Sequence, residues 1–146
     1  MFLARFAAFA LCLVPASALA ADHCVDVDSK RGWQQLSLPS GKIGRVSYSG
    51  SWSVIAGMYK PVGPRGYSGE EAKRLGPLYG YKLDQSYAFG EMLVRDRAGR
   101  VVPFAEFAAL AVNSRDPEGV YSFRINDKDV ALWDNSGVIR VCVAMR

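Results

Sequence analysis

The sequence contains little histidine and little cysteine. Its 146 residues include one histidine, His23, and three cysteines. Nucleophilic catalysis of the Ser-His-Asp or Cys-His kind needs a positioned base, so a single histidine beside Cys24 argues against that chemistry. The sequence also lacks the CxxC, HExxH, GxSxG and P-loop patterns. We therefore expect a protein that is not an enzyme.

Blocks of like charge and long apolar runs are also lacking. The net charge is +4, and the basic residues are scattered, so we expect no nucleic-acid partner. Residues 1–20 carry Arg5, a short apolar run and then Ala18-Leu19-Ala20, which is the pattern of a secretory signal. No later segment reaches the ~20 apolar residues that span a membrane. We expect a signal peptide over 1–20, a single domain over 21–146, a periplasmic or secreted location, and no membrane insertion.

Export determines how the cysteines are interpreted. Cys12 lies within the signal, which leaves Cys24 and Cys142 near the two ends of the mature chain. In an oxidising compartment an even pair of cysteines usually forms a disulfide. We expect this bridge to join the first strand to the last.

The remaining chain has the pattern of short strands. Gly, Pro, Asn or Asp recurs every eight to twelve residues, and Val120–Ile125 and Val138–Ala144 alternate apolar with polar positions. This period predicts an all-β fold, a single antiparallel β-sandwich of jelly-roll type. The predicted strands are Trp33–Leu38, Gly44–Tyr48, Trp52–Ala56, Tyr87–Val94, Arg100–Phe104, Glu106–Val112, Val120–Ile125 and Val138–Ala144.

Two segments also have helical character. Residues 69–75, GEEAKRL, predict one or two helical turns. Residues 104–112, FAEFAALAV, have helical propensity but stand where a sandwich needs a strand, and we predict a strand there. Residues 57–76 form the longest loop, and loops of this length in compact domains are often functional.

The segment between the last two predicted strands is the most acidic part of the chain. This acidic loop, residues 126–135, carries Asn126, Asp127, Asp129, Asp134 and Asn135. Clustered carboxylates repel one another, and a hard cation such as Ca2+ relieves this by accepting carboxylate, amide and carbonyl oxygens. Asp and Asn are also common in ordinary turns. From composition alone, a calcium site and a plain hydrogen-bonded turn both remain open.

The order of motifs resembles the calcium-dependent galactophilic lectins of PA-I type, which are small jelly-roll sandwiches. The motifs are Trp33, Gly41, Gly44–Tyr48, Gly50-Ser51-Trp52, GPRG at 63–66, VYSFRIND at 120–127 and DNSGVIRVCV at 134–143. The resemblance implies side-chain calcium ligands Asp127, Asp134 and Asn135, and backbone carbonyl ligands from Ala131 and Ile55. It also implies a carbohydrate partner, galactose-like, whose hydroxyls bind the calcium and donate hydrogen bonds to Asp127 and Asp134.

Further sugar contacts depart from the family pattern. Family members use a His and a Gln after the GPxG-like turn, where this sequence has Glu70 and Lys73. Trp133 lies within the acidic loop, where it could stack on the apolar face of a sugar or cover the edge of the sandwich.

A protein-interaction module is the alternative function. Tyr59, Tyr67, Tyr79 and Tyr81 crowd residues 57–81, and tyrosine is common in recognition surfaces. Under this hypothesis an inhibitor or immunity factor would bind a protein partner through 57–81, and the acidic loop would hold no metal. Both hypotheses leave a homo-oligomer open.

Overall fold

Two antiparallel sheets form the core of the computed structural model, which describes residues 22–114 and 116–146. The predicted signal peptide, 1–20, lies outside these residues. The strands are β1 Asp22–Asp28, β2 Gln34–Leu38, β3 Ile43–Ser53, β4 Met92–Arg95, β5 Val101–Pro103, β6 Gly119–Ile125 and β7 Ser136–Met145. The α-helices are α1 Gly69–Arg74 and α2 Phe104–Asn113, and short 3-10 helices span Gly76–Tyr81 and Leu132–Asp134.

The sheets have the strand orders β1-β7-β3 and β2-β6-β4-β5. Alternate residues of β6 and β7 point into one shared core, where Phe123 and Val141 are both 0% exposed. A strand buries one face because successive side chains point to opposite sides. The predicted all-β sandwich is confirmed.

The predicted disulfide is also confirmed. Cys24 on β1 and Cys142 on β7 are directly paired across the sheet, with an S–S distance of 2.09 Å. The bridge therefore joins the first strand to the last. A disulfide fits an oxidising, extracytoplasmic compartment.

The predicted strand Glu106–Val112 is wrong, because this segment belongs to α2. Phe104, Phe107 and Ala111 are its buried residues, and their spacing of three and four positions follows the helical period. The ring of Phe107 packs 5.5 Å from that of Phe123 on β6. The helix thus contributes one apolar stripe to the core where a further strand was expected.

Other boundaries differ by less. The predicted strands Gly44–Tyr48 and Trp52–Ala56 form one strand, β3, which ends at Ser53. Gly50 lies in the middle of β3, at φ 89° and close to β7. An added Cβ there would lie 2.3 Å from the carbonyl oxygen of Val138, so only glycine lets the strand stay paired at this position. The predicted strand Tyr87–Val94 begins only at Met92. The helical turns predicted at 69–75 are confirmed as α1.

Candidate cation and ligand site

The acidic loop connects β6 of one sheet to β7 of the other at one end of the sandwich. Its polar side chains fall into two groups. Asn126, Asp127 and Asn135 are at most 1% exposed, whereas the side chain of Asp129 is 77% exposed. Buried carboxylates and amides need partners, because burial without a hydrogen bond is costly. The two groups differ in their hydrogen-bond partners.

Arg124 fixes the loop from behind. Its side chain is 3% exposed, and Nη2 donates to the backbone oxygen of Asp127 at 2.6 Å and to Oδ1 of Asp129 at 2.8 Å. The indole of Trp33 lies 5.5 Å from the guanidinium. Asp129 is therefore the ion-pair partner of Arg124, and the buried cation is directed to the backbone of Asp127 rather than to its carboxylate.

Four buried oxygens of the loop accept no hydrogen bond from any described residue. They are Oδ1 and Oδ2 of Asp127, Oδ1 of Asp134 and Oδ1 of Asn135. Each buried acceptor without a donor costs about 1–3 kcal/mol. Asn135 presents its oxygen because Nδ2 is taken by the carbonyl of Ser29 at 3.0 Å. The loop therefore concentrates oxygen acceptors that the described part of the chain does not satisfy.

The electrostatics of Asp127 reflect this burial. Burial raises the pKa of Asp127 from 3.8 to about 6. The nearby side-chain amide of Asn135 and backbone amide of Lys128 lower this pKa in part, although both donate their hydrogen bonds to other acceptors and neither meets hydrogen-bond geometry with the carboxylate; the charge of Asp134 raises it further. Burial also raises the pKa of Asp134. Ionised Asp127 is therefore poorly stabilised by its surroundings, and a nearby cation would lower its pKa.

A cavity of about 250 Å³ opens beside these carboxylates and is lined by residues from separate parts of the chain. Leu78, Tyr81 and Phe89 form what is here called the apolar wall. Val54 and Ile55 also line the cavity, and the acidic loop contributes Val130 and Trp133, which are 73% and 76% exposed. Exposed apolar side chains around a concave site are typical of binding surfaces.

Most of the predicted site residues meet at this cavity. Asp127, Ala131, Trp133 and Asp134 line it together with Ile55, and Asn135 is buried next to Asp134 in the chain. The carbonyl of Ile55 already accepts hydrogen bonds from Ser53 Oγ at 2.8 Å and from the Met58 amide at 3.2 Å. The carbonyl of Ala131 accepts one long bond of 3.4 Å.

Glu70 and Lys73 lie apart from this group. Both are on α1, where their exposed side chains form an ion pair with each other, and neither lines the cavity. Sequence reasoning also missed Leu78, Phe89 and Val130. Of the apolar wall, only Tyr81 was identifiable from the sequence as a candidate binding residue, because it is one of four tyrosines within residues 57–81.

The buried polar side-chain atoms of the acidic loop that lack hydrogen-bond partners among the described residues are all oxygens. Among residues 22–114 and 116–146, no group of three or more His, Cys, Asp or Glu side chains is placed to hold a metal. The acidic loop instead offers two carboxylates and one amide oxygen. Oxygen donors suit calcium or magnesium and do not suit the softer metals that prefer thiolate or imidazole. Two carboxylates also balance the charge of one divalent ion.

No protein-family model matches this chain, and no curated protein matches it significantly. Within the described residues, no helix has the length and hydrophobicity needed to cross a bilayer.

Proposed function

We propose that this chain is an exported, non-catalytic protein that binds carbohydrate through calcium held by the acidic loop, in the manner of the PA-I type lectins that the loop resembles. The observation that carries the proposal is a set of four buried oxygens on Asp127, Asp134 and Asn135 that accept no hydrogen bond from residues 22–114 and 116–146, beside an open cavity. The disulfide is compatible with the periplasm or the extracellular space.

Calcium would be held by these side-chain oxygens and by the carbonyl of Ala131. The carbonyl of Ile55 already accepts two hydrogen bonds and would have to release one of them to bind the ion. When bound, the ion supplies a fixed positive charge that coordinates hydroxyl oxygens. Calcium takes 6–8 oxygen ligands. Four side-chain oxygens and the Ala131 carbonyl give five ligands, so a coordination number of 6–8 leaves one to three positions for a ligand.

The cavity walls favour a neutral polyol with one apolar face. The indole of Trp133 and the apolar wall offer flat, apolar surface, which suits the C–H face of a sugar ring. The carboxylates of Asp127 and Asp134 accept hydrogen bonds from hydroxyls. Vicinal hydroxyls are poor ligands in water, but a fixed ion in a partly dry site makes them effective.

Calcium titration of thermal unfolding tests the metal. At a calcium concentration of 100 Kd the wild type gains about 2.7 kcal/mol, or a rise in Tm of roughly 10 °C for a domain of this size. Asp127→Ala should abolish this shift. Asp129→Asn is the matched control, because it removes a carboxylate of the same loop that pairs with Arg124, and it should retain the shift. No shift of the wild type at millimolar calcium would reject the metal site.

Binding to immobilised galactose and to a glycan array tests the sugar. Wild type should bind in calcium and be released by chelator. Trp133→Ala should keep the calcium shift, because its side chain is 76% exposed and contributes little to folding, and should lose sugar binding by about tenfold or more. Calcium binding without any glycan ligand would refute the carbohydrate part of the proposal.

A protein-interaction module without metal is the second candidate. It is favoured by exposed apolar side chains within residues 57–81, where Met58 is 60% and Tyr81 48% exposed. This function requires a protein partner that remains bound in chelator and is released by Met58→Asp or Tyr81→Asp. Loss of the partner in chelator would instead support the calcium site.

A further inference from the structure

Asn126 belongs to the motif that singled out the acidic loop, yet the proposed calcium site gives it no role. It is 0% exposed, and its side chain is fully engaged. Its Oδ1 accepts the amide of Asp84 at 2.8 Å, and its Nδ2 donates to the carbonyls of Asp84 and Ala88 at 2.9 Å each. Its backbone amide donates to the carbonyl of Glu91 at 2.7 Å. One buried asparagine thus fastens the acidic loop to a distant stretch of chain.

Lys128 makes a second attachment to the same stretch. Its backbone amide donates to the carbonyl of Tyr81 at 2.8 Å, and its Nζ donates to the carbonyl of Gly80 at 2.7 Å. Asn126 and Lys128 are the two chain neighbours of Asp127. Asp127, the proposed calcium ligand, therefore lies between two residues that both form hydrogen bonds with residues 80–88.

Residues 80–88 carry or adjoin the apolar wall. Tyr81 lies within this segment, while Leu78 and Phe89 flank it. The apolar wall and the acidic loop are far apart in sequence, and Asn126 and Lys128 join the two segments. The buried side chain of Asn126 accepts a hydrogen bond from the amide of Asp84, and the exposed Nζ of Lys128 donates to the carbonyl of Gly80. The position of the wall and the position of Asp127 therefore depend on each other.

We infer that Asn126 and Lys128 are positioning residues that couple cation binding at Asp127 to the placement of the apolar wall, so that calcium orders the cavity in which the ligand sits. This inference deepens the proposed function and rests on it. The carboxylate of Asp127 accepts no hydrogen bond from the part of the chain that the structure describes. A cation that holds this carboxylate in one position also restrains the two residues beside it. The coupling is reciprocal: if calcium stabilises the ordered position of the apolar wall, the ordered wall increases the affinity for calcium by the same free energy.

Amide hydrogen exchange with calcium alone tests the coupling without any sugar. The reporters are the amide of Asp84, bonded to Asn126, and the amide of Lys128, bonded to Tyr81. In the wild type, saturating calcium should slow exchange at both by about tenfold or more, because one hydrogen bond held or lost changes an opening equilibrium by roughly that factor. Absence of any calcium effect on these amides in a protein whose Tm responds to calcium would overturn the inference and leave the proposed function standing.

The variant Asn126→Ala distinguishes coupling between calcium and residues 80–88 from a general effect of calcium on the stability of the protein. Asn126→Ala should still show a rise in Tm with calcium, but exchange in residues 80–88 should no longer respond to the ion. Gln85→Ala is the matched control, since its Nε2 bonds only to the carbonyls of Tyr79 and Lys82, outside the acidic loop. It should keep the calcium response. An undiminished response in Asn126→Ala would refute the inference.

Lys128→Met provides the test if Asn126→Ala fails to fold. Lys128 is exposed, and methionine keeps the aliphatic stem while removing the bond from Nζ to the carbonyl of Gly80. The calcium-dependent protection of residues 80–88 should fall, with the calcium shift in Tm retained. Unchanged protection would count against the coupling. If calcium shifts neither Tm nor exchange in the wild type, the proposed metal site and this inference both fail.

Discussion

Replacing Asp127 by asparagine should make the calcium-free protein more stable at neutral pH. Loss of a native carboxylate usually destabilises a protein when that carboxylate is paired. The carboxylate of Asp127 is 1% exposed, and neither of its oxygens accepts a hydrogen bond from residues that the structure describes. In the absence of a cation the ionised group is therefore a cost, and Asp127→Asn removes the charge while keeping the shape.

The size of the effect follows from the pKa of Asp127. Burial raises it from 3.8 to about 6, and this difference corresponds to about 3 kcal/mol. Between these values the folded protein holds a proton that the unfolded chain has released, so the free energy of unfolding falls as the pH rises from about 4 to 6 and stays low above it. The variant avoids this loss because an amide does not ionise.

Thermal unfolding in chelator at pH 4, 6 and 7.5 measures the difference. Asp127→Asn should match the wild type at pH 4 and exceed it at pH 7.5 by about 2–3 kcal/mol, or roughly 10 °C in Tm. Asp26→Asn, which removes an exposed carboxylate of β1 paired with Arg140, should differ by no more than about 0.5 kcal/mol. Excess calcium should reverse the order, because only the wild type gains from the ion. A variant less stable than the wild type at pH 7.5 in chelator would refute the reasoning.

Three further predictions concern the scaffold. Replacing Cys24 and Cys142 by serine should lower the free energy of unfolding by about 2–5 kcal/mol, seen as a lower urea midpoint that is insensitive to reductant; an unchanged midpoint would contradict the bridge. Gly137→Ala should cost at least about 3 kcal/mol, because Gly137 has φ 100° and an added Cβ would lie 2.3 Å from the carbonyl oxygen of Ser51; urea unfolding monitored by far-UV circular dichroism measures it. Phe107→Ala should cost about 3–5 kcal/mol and loosen amide protection in α2, whereas a strand on the surface would show neither effect.

The fold and the centre of the candidate site could be predicted because both depend on local sequence. Alternation in β6 and β7 identifies strands with an apolar face in the core, and the disulfide follows from two cysteines in a chain whose sequence predicts export. The placement of Asp127 and Asp134 at one cavity follows from their positions after β6 and before β7. Features of this kind depend on residues that are close in the chain or at the ends of strands, and local sequence patterns identify both.

The remaining features depend on packing between distant segments. Helix α2 was predicted as a strand, although apolar residues at 104, 107 and 111 already follow the helical period. Arg124 alternates with buried residues and so looks exposed, yet it is 2% exposed and lies against Trp33. The apolar wall comes from a segment that alternation does not describe, and Asn126 is hydrogen-bonded to Asp84 and Ala88 within or beside that segment.

The way the acidic loop is supported argues that its unsatisfied oxygens are functional. Arg124 donates to the backbone of Asp127, and the neighbours of Asp127 bond to residues 80–88. The backbone is thus fixed on both sides while the carboxylate receives no donor from the described residues. A loop selected only for stability would direct Arg124 to that carboxylate, since a charged hydrogen bond there would contribute about 1.5–3 kcal/mol. Local violations of this kind, held in place by a well-bonded frame, are expected where a protein keeps ligands ready for a cation.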